Sequence, residues 1–282
     1  VAPADPSGSA DTRSQLDLVE DYFNRHALQW HELYVKPRRV NDLVLANRRR
    51  VGVEQIREHV GAGARVLDAG CGAGLAALDL ARQGFFVHAV DIAEPMLALC
   101  RERFEEAGIA RDRYEIARAD ASRLDVEPGS LGGIVALGFL EYQDDELAAL
   151  RRLHRLLEPD GTLVLSGGVK TTLATYLGIP ARVRSLLARV GLASPPDDRG
   201  PIELHHQYSV RRLRGLLEAA GFDVLQWHGH GFVDFRGIGR RLPYRGQLLL
   251  HRTLTAAARF LPIAQWANDL IMVARKRPPR SP

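Results

Sequence analysis

Only two cysteines, Cys71 and Cys100, occur in 282 residues. That is too few for a disulfide framework, and neither looks like a metal ligand, so a reducing cytoplasm fits. No run approaches the roughly 18 apolar residues of a membrane span. The opening VAPADPSGSADTRSQ lacks the apolar centre of a secretory signal, and residues 1–13 are expected to form a disordered leader. The net charge is only +4, aromatic residues do not interleave the arginines, and no Asn-Pro-Pro-Tyr string is present, which together exclude a nucleic-acid substrate from the expectations. What remains is an ordinary globular composition, 46% hydrophobic and 26% charged, able to bury one substantial core.

Within that chain the stretch VLDAGCGAGLAALDLARQGFFVHAVDIAEPM (66–96) carries the densest signal. Val66 and Leu67 close a buried strand, Gly70 to Gly74 form a glycine turn, and Leu75 to Gln83 have helical apolar spacing. Phe85 to Val90 read as a second strand with Asp91 at its end, about 20 residues beyond the first glycine, where a carboxylate takes both hydroxyls of a ribose. A dinucleotide fingerprint needs G-x-G-x-x-G, but the spacing here is G-x-G-x-G, with Leu75 at the next position and Asp68 ahead of the turn.

Asp68-x-Gly70-x-Gly72-x-Gly74 resembles the first motif of class I S-adenosylmethionine-dependent methyltransferases. The next segments keep that family's order. A third strand ends at Asp120, followed by a fourth from Ile134 to Leu137, then by LAALRRLHRLLEPDGTLVLS (147–166), a helix, a Pro-Asp-Gly turn and a fifth strand. Gly132 and Gly133 stand where the family often has an acid at the start of strand 4. A last helix, a turn at Gly221, a sixth strand and an antiparallel seventh in NDLIMVARKR complete the pattern. The resemblance implies a Rossmann-like α/β fold with a seven-stranded, mostly parallel sheet and helices on both faces. It also implies S-adenosylmethionine as cofactor, held by Asp68, Ala69, Gly70, Cys71, Gly72, Asp91, Ile92, Met96, Asp120, Ala121 and Leu137. Asp91 would take the ribose, and Asp120 the adenine amino group.

The flanks are expected to choose the acceptor. Residues 14–60 form an N-terminal helical lid and lead-in helix, with Leu16, Val19, Phe23, Ala27, Trp30 and Tyr34 near helical spacing. Packing on the core accounts for Phe23 and Trp30, whereas Tyr22 and Tyr34, with hydroxyls, are the candidates to close over the cofactor. Arg49, in the run 48–50, either belongs to a solvated charge run or forks onto the cofactor's methionine carboxylate. YFNRHALQWHELYVKPRRVNDLVLANRRR also resembles the N-terminal regions of magnesium-protoporphyrin and ubiquinone-pathway O-methyltransferases, which implies a ring-bearing or quinone-like acceptor. The core, 61–277, carries insertions at about 167–205 and 232–268, before a tail at 278–282. Arg236, Arg240, Arg241, Arg245, Arg252 and Arg259 have no acidic residue among them and flank an apolar stripe from Leu250 to Leu261. That stripe either packs on the sheet edge or gives a peripheral membrane contact through about 236–261.

Chemically, a sulfonium methyl is already electrophilic, so the protein must align an acceptor and remove one proton. A histidine suits that task near neutral pH; position puts His206 first and His31 second. No metal set is seen, although His228 and His230 share a His-x-His spacing. O-methylation of a small, largely apolar acceptor is the leading expectation, with C- or N-methylation and a non-catalytic cofactor-binding sensor left open. A nicotinamide oxidoreductase lacks its Tyr-x-x-x-Lys pair.

Overall fold

Val66, Leu67, Val87, Ala89, Ile134, Val135, Leu163 and Val164 make their strands apolar on both faces, and such strands require a sheet covered on both sides. The computed structural model describes residues 14–35, 40–121, 124, 126–168, 206, 208–231, 243–257, 267 and 269–278. In chain order the elements are α1 (Gln15–Val35), α2 (Val40–His59), β1 (Arg65–Ala69), α3 (Leu75–Arg82), β2 (Phe86–Asp91), α4 (Glu94–Glu106), β3 (Tyr114–Arg118), β4 (Leu131–Ala136), α5 (Glu146–Leu156), β5 (Leu157–Gly168), α6 (Val210–Ala219), β6 (Phe222–His230), α7 (Tyr244–Ala257) and β7 (Asp269–Lys276). The seven strands lie in the order β3-β2-β1-β4-β5-β7-β6. All neighbouring pairs are parallel except those of β7, which runs antiparallel to β5 and β6.

Alternate residues of each strand feed different layers. Leu67, Ile134, Leu163 and Leu165 pack beneath α5 and α6, with Leu150, Leu153, Leu213 and Leu217. Val66, Val135 and Val164 pack beneath α2 and α3, with Ile56, Val60, Ala77 and Leu80. Local capping fixes where the helices begin: Asp145 accepts from the Ala148 N–H at 2.9 Å to start α5, and Ser209 accepts from the Arg212 N–H at 3.1 Å to start α6. The chain winds from β1 outward to β3, then returns to place β4 on the other side of β1. This reversal opens a crevice beyond the carboxyl ends of β1 and β4, where ligands bind in such sheets.

Several boundaries differ from the sequence reading. β4 begins at Leu131 and ends at Ala136, so Gly132 and Gly133 lie inside it. The reason is close approach: a Cβ on Gly133 would sit 2.9 Å from Val60 Cγ2 and 3.1 Å from Ile56 Cδ1, so α2 rests on the strand only because both positions lack side chains. β3 ends at Arg118, two residues before Asp120. The Pro159-Asp160-Gly161 turn lies within β5, where pairing with β4 jumps from Leu157 to Thr162 and Asp160 takes a φ of 62°. The N-terminal region is two helices, and α7 starts at Tyr244, ahead of the anticipated stripe. The leader, most of the 167–205 and 232–268 insertions, and residues 279–282 of the tail lie outside the described residues.

Gly133→Ala should therefore cost about 1–3 kcal/mol through overpacking against Val60 and Ile56. The measure is a lower denaturant midpoint at unchanged slope; an unaltered midpoint would mean that α2 is free to move away from β4.

Candidate active site

The glycine turn joins β1 to α3 with alternating left-handed residues: Gly70 at φ 70°, Gly72 at 52° and Gly74 at 74°. Glycine adopts this region without the penalty a Cβ brings. At Gly74 the reason is also packing, since a Cβ would fall 2.2 Å from Cys100 Sγ. At Gly72 a Cβ would meet nothing within 4 Å, which leaves open space above the turn. The turn is tied to β2 because Gly70 and Cys71 both donate their N–H to Val90 O at 2.9 Å. Asp91 completes the tie: its Oδ2 accepts from the Gly72 N–H and its Oδ1 from the Ala93 N–H, each at 2.9 Å. Burial pushes the Asp91 pKa up against these stabilising bonds.

Asp68, at the end of β1, is 3% exposed. It accepts a hydrogen bond from the Ala77 backbone on α3, yet its Oδ2 is buried with no hydrogen-bond partner among the described residues. Burial, aided by the neighbouring Asp91 charge, raises its pKa to about 7. The Cys71 thiol is likewise pushed up, first by its contact with the Cys100 thiol and then by burial.

Helix α1 lies across this end of the sheet. Ala27, with Phe23 and Trp30, packs on Ala73 of the turn and on Ala93 and Met96 at the start of α4. Phe23 also meets Tyr142 edge-on at 5.3 Å, and Glu20 pairs with Arg118 at the end of β3 at 2.5 Å. Tyr22 is half-buried and stacks on His26 at 4.6 Å, next to Phe23 at 5.2 Å. Phe23 and Trp30, expected to be packing residues, are thus the aromatic contacts with the turn and α4. Tyr34 and His31 are on α1, but their side chains lie outside the described residues.

At the end of β4 stands a charged cluster absent from the sequence-based candidates. Arg48 of α2 pairs with Asp269 of β7 at 3.3 Å, and its guanidinium lies 3.1 Å from where a Cβ on Gly138 would be. Glu141, in the single 3-10 turn Leu140–Tyr142, is 8% exposed and feels both charges. Burial lifts Glu141 to about 7 despite Arg48, and lifts Asp269 to about 6. The legible signal was an acid, in FLEY, just past a strand end.

The other expected residues are placed as follows. Ala69 and Ala121 are buried, Asp120 is half-buried, and Ile92 is half-buried with its carbonyl accepting from Arg118 Nε at 3.1 Å. Leu137 packs under Gly52 of α2, 3.0 Å from where a Cβ would sit. Arg49 is paired with Asp79 at 3.2 Å and lines a cleft between α2 and α3 with Arg57 and Arg82; the arginine at the strand ends is its neighbour Arg48. His206 donates its backbone N–H to Glu141 O at 3.1 Å, and its Nδ1 lies 3.9 Å from Glu146 Oε1. Its Nε2 is buried without a hydrogen-bond partner among the described residues. His205 is outside them.

Residues 66–161 match the family model described as a methyltransferase domain. Over this stretch the chain resembles the class I S-adenosylmethionine-dependent methyltransferases. Over 117 residues, 42% of this chain, it is 36% identical to the ubiquinone biosynthesis O-methyltransferase of Xanthomonas campestris pv. campestris. The chain spans about half the length, 48%, of that relative. Among solved structures, the magnesium protoporphyrin IX methyltransferase of Synechocystis PCC 6803, with bound S-adenosylhomocysteine, superposes with a TM-score of 0.63 at 18% identity, covering 92% of this chain and 99% of that one. A cyclase, SpnF, superposes at 0.54 with 23% identity, covering 81% and 80%. At these identities the structural likenesses establish the fold.

The donor set at these strand ends fits a nucleoside with an amino-acid tail: the space over Gly72 would admit a ligand close to the backbone, the Asp91 carboxylate is fixed where it would meet a diol, and the Asp68 Oδ2, with no hydrogen-bond partner among the described residues, would accept from an ammonium. Asp68 also carries a linkage consequence. Its folded pKa of about 7 lies above the ordinary aspartate value of 3.8, so the folded state holds this proton more tightly. The stabilisation is complete below the unfolded pKa and is lost as pH rises through the folded one. Asp68→Asn, which removes that ionisation, should melt higher relative to the ligand-free wild type near pH 8 than near pH 5, by roughly 4 °C or more. A melting difference that is the same at both pH values would mean that Asp68 is not held protonated.

Proposed function

We propose that the methyltransferase moves the methyl group of S-adenosylmethionine to an oxygen of a small, largely apolar acceptor. The observation that carries this reading is the Asp91 carboxylate, fixed by two backbone N–H groups beside an open glycine turn whose flank is covered by an aromatic helix. Asp91 holds the ribose hydroxyls with its remaining lone pairs, and Asp68 takes the ammonium. Asp120, Ala121, Ile92 and Met96 form the adenine end, and Leu137 the methyl end beside β4. When bound, the cofactor supplies the electrophilic methyl; alignment is the protein's part.

Oxygen as the acceptor atom is supported by the 36% identity to ubiquinone biosynthesis O-methyltransferases over 117 residues. An apolar acceptor is supported by Phe23, Trp30 and Tyr142 at the covered end of the sheet. α1, which reaches from Arg118 past the turn to Tyr142, acts as the lid that excludes water. Arg49 remains a candidate for the methionine carboxylate if its pair with Asp79 opens. His206, with Glu146 on Nδ1 and a buried Nε2, is the group to take the acceptor's proton.

The direct test incubates the protein with methyl-labelled cofactor and a panel of phenols, carboxylic acids and amines, followed by mass spectrometry. Label on oxygen is expected. Label on nitrogen or carbon would correct the acceptor atom, and cofactor binding without label transfer to any compound would favour the non-transferring reading. Asp91→Ala should weaken cofactor binding by about 1.5–3 kcal/mol in calorimetry; unchanged affinity removes Asp91 from the site. His206→Ala should slow turnover of a phenol with little change in cofactor affinity, and higher pH should partly restore the rate by ionising the phenol. Full turnover at every pH would leave His206 a structural role only.

A further inference from the structure

The cluster at the end of β4 holds an imbalance of charge that the reading above does not use. Arg48 contributes one cation, while Glu141 and Asp269 contribute two carboxyl groups, all largely out of water. Asp269 is committed: its Oδ2 faces Arg48 at 3.3 Å and its Oδ1 accepts from the Leu270 N–H at 2.9 Å. Glu141 Oε2, by contrast, is buried without a hydrogen-bond partner among the described residues. A buried, incompletely paired carboxyl is costly unless it is neutralised by a proton or by a cation.

The turn that carries Glu141 is placed against the cofactor end on both sides. Phe139 lies 3.5 Å from where a Cβ on Gly70 would stand, and Tyr142 meets Phe23 of α1. Among the described residues, the other charged or titratable groups around it come from four elements. They are Arg48 on α2, Asp269 on β7, Glu146 on α5, and Tyr208 and His206 before α6. Glu146 is engaged by Arg212 at 2.7 Å and by His206, and burial keeps the Tyr208 hydroxyl protonated. The cation this site must receive, on the cofactor reading, is the sulfonium of S-adenosylmethionine.

We propose that Glu141 is the counter-charge to the cofactor's sulfonium, and so makes the protein prefer S-adenosylmethionine to its neutral-sulfur product, S-adenosylhomocysteine. The ammonium, carboxylate, ribose and adenine are common to both molecules, so their contacts cancel in the ratio of affinities. The charge on sulfur does not. Because Glu141 titrates near 7, the preference should grow as pH rises through neutrality and its carboxylate forms. Product release is then aided by the same group, since the carboxylate loses its partner when the methyl leaves.

The inference rests on the cofactor reading, and calorimetry with the two cofactor forms, without any acceptor, separates the two. Affinities for S-adenosylmethionine and S-adenosylhomocysteine are measured at about pH 5.5 and about pH 7, where the ligands' α-amino groups stay largely protonated. For the wild type the preference should increase about fivefold to tenfold over that interval. Glu141→Gln should abolish the increase, Glu141→Asp should keep most of it, and Asp68→Asn should weaken both ligands while leaving their ratio unchanged. A preference that does not change with pH in the wild type overturns the proposal, even if the glutamine variant fails to fold. A ratio that still rises in Glu141→Gln overturns it as well, and assigns the effect to Asp269. Binding of neither ligand by the wild type would reject the cofactor reading itself.

Discussion

Two hydrogen bonds to one carboxylate organise the ligand end of this fold. Asp91 closes β2, and through the Gly72 and Ala93 N–H groups it clamps the glycine turn on one side and the start of α4 on the other. Ala73 and Ala93, the surface on which α1 lands, are held in place by that clamp. A neutral side chain at Asp91 would loosen all three parts together. Carboxylate-to-backbone bonds are stronger than neutral ones, which suits a group asked to hold a left-handed glycine turn that has no side chains of its own to fix it.

The same end of the sheet concentrates buried acid. Asp68, Glu141 and Asp269 all have raised pKa values, in each case with burial as the largest cause. In a protein selected for stability alone such groups would be replaced by apolar ones of similar volume, since incompletely paired charge in a low-dielectric interior is unfavourable. They lie at the crevice beyond β1 and β4, where ligands bind in such sheets, and not in the layers beneath α5 or α2. Stability given up at a site is a common companion of function.

Much of this architecture was legible in the sequence because its signals are local. The glycine turn, Asp91 at a strand end, and the helix-turn-strand module before β5 each depend on residues close together in the chain. Gly132 and Gly133 were legible only as a departure; their reason lies in Val60 and Ile56, more than 70 residues away in sequence, resting on the strand. The arginine run illustrates another limit. Arg48, Arg49 and Arg50 differ by one helical step each, and only the packed positions of α2 decide between them. Gly52 faces Leu137, so Arg48, one turn earlier, reaches Gly138, whereas Arg49 falls toward Asp79. Glu141 escaped notice because a single acid in FLEY carries no periodicity, and its partners come from α2 and β7, at opposite ends of the chain.

The placement of α1 bears on how a site like this opens. Its contacts with the core include the small apolar group Ala27, Phe23 and Trp30 on Ala73, Ala93 and Met96, the buried Val19, an ion pair at one side, Glu20 to Arg118, and at the other the aromatic edge from Phe23 to Tyr142 with Gln15 Nε2 donating to the Tyr142 carbonyl at 3.4 Å. The ion pair is half exposed and contributes little, as surface pairs do. Part of the apolar patch under the helix belongs to the glycine turn itself. On the proposed reading of α1 as a lid, a ligand that orders the turn would strengthen that patch, so closure and cofactor occupancy would be coupled through Ala73 and Ala93, in keeping with elements of low local stability serving as the moving parts of a site.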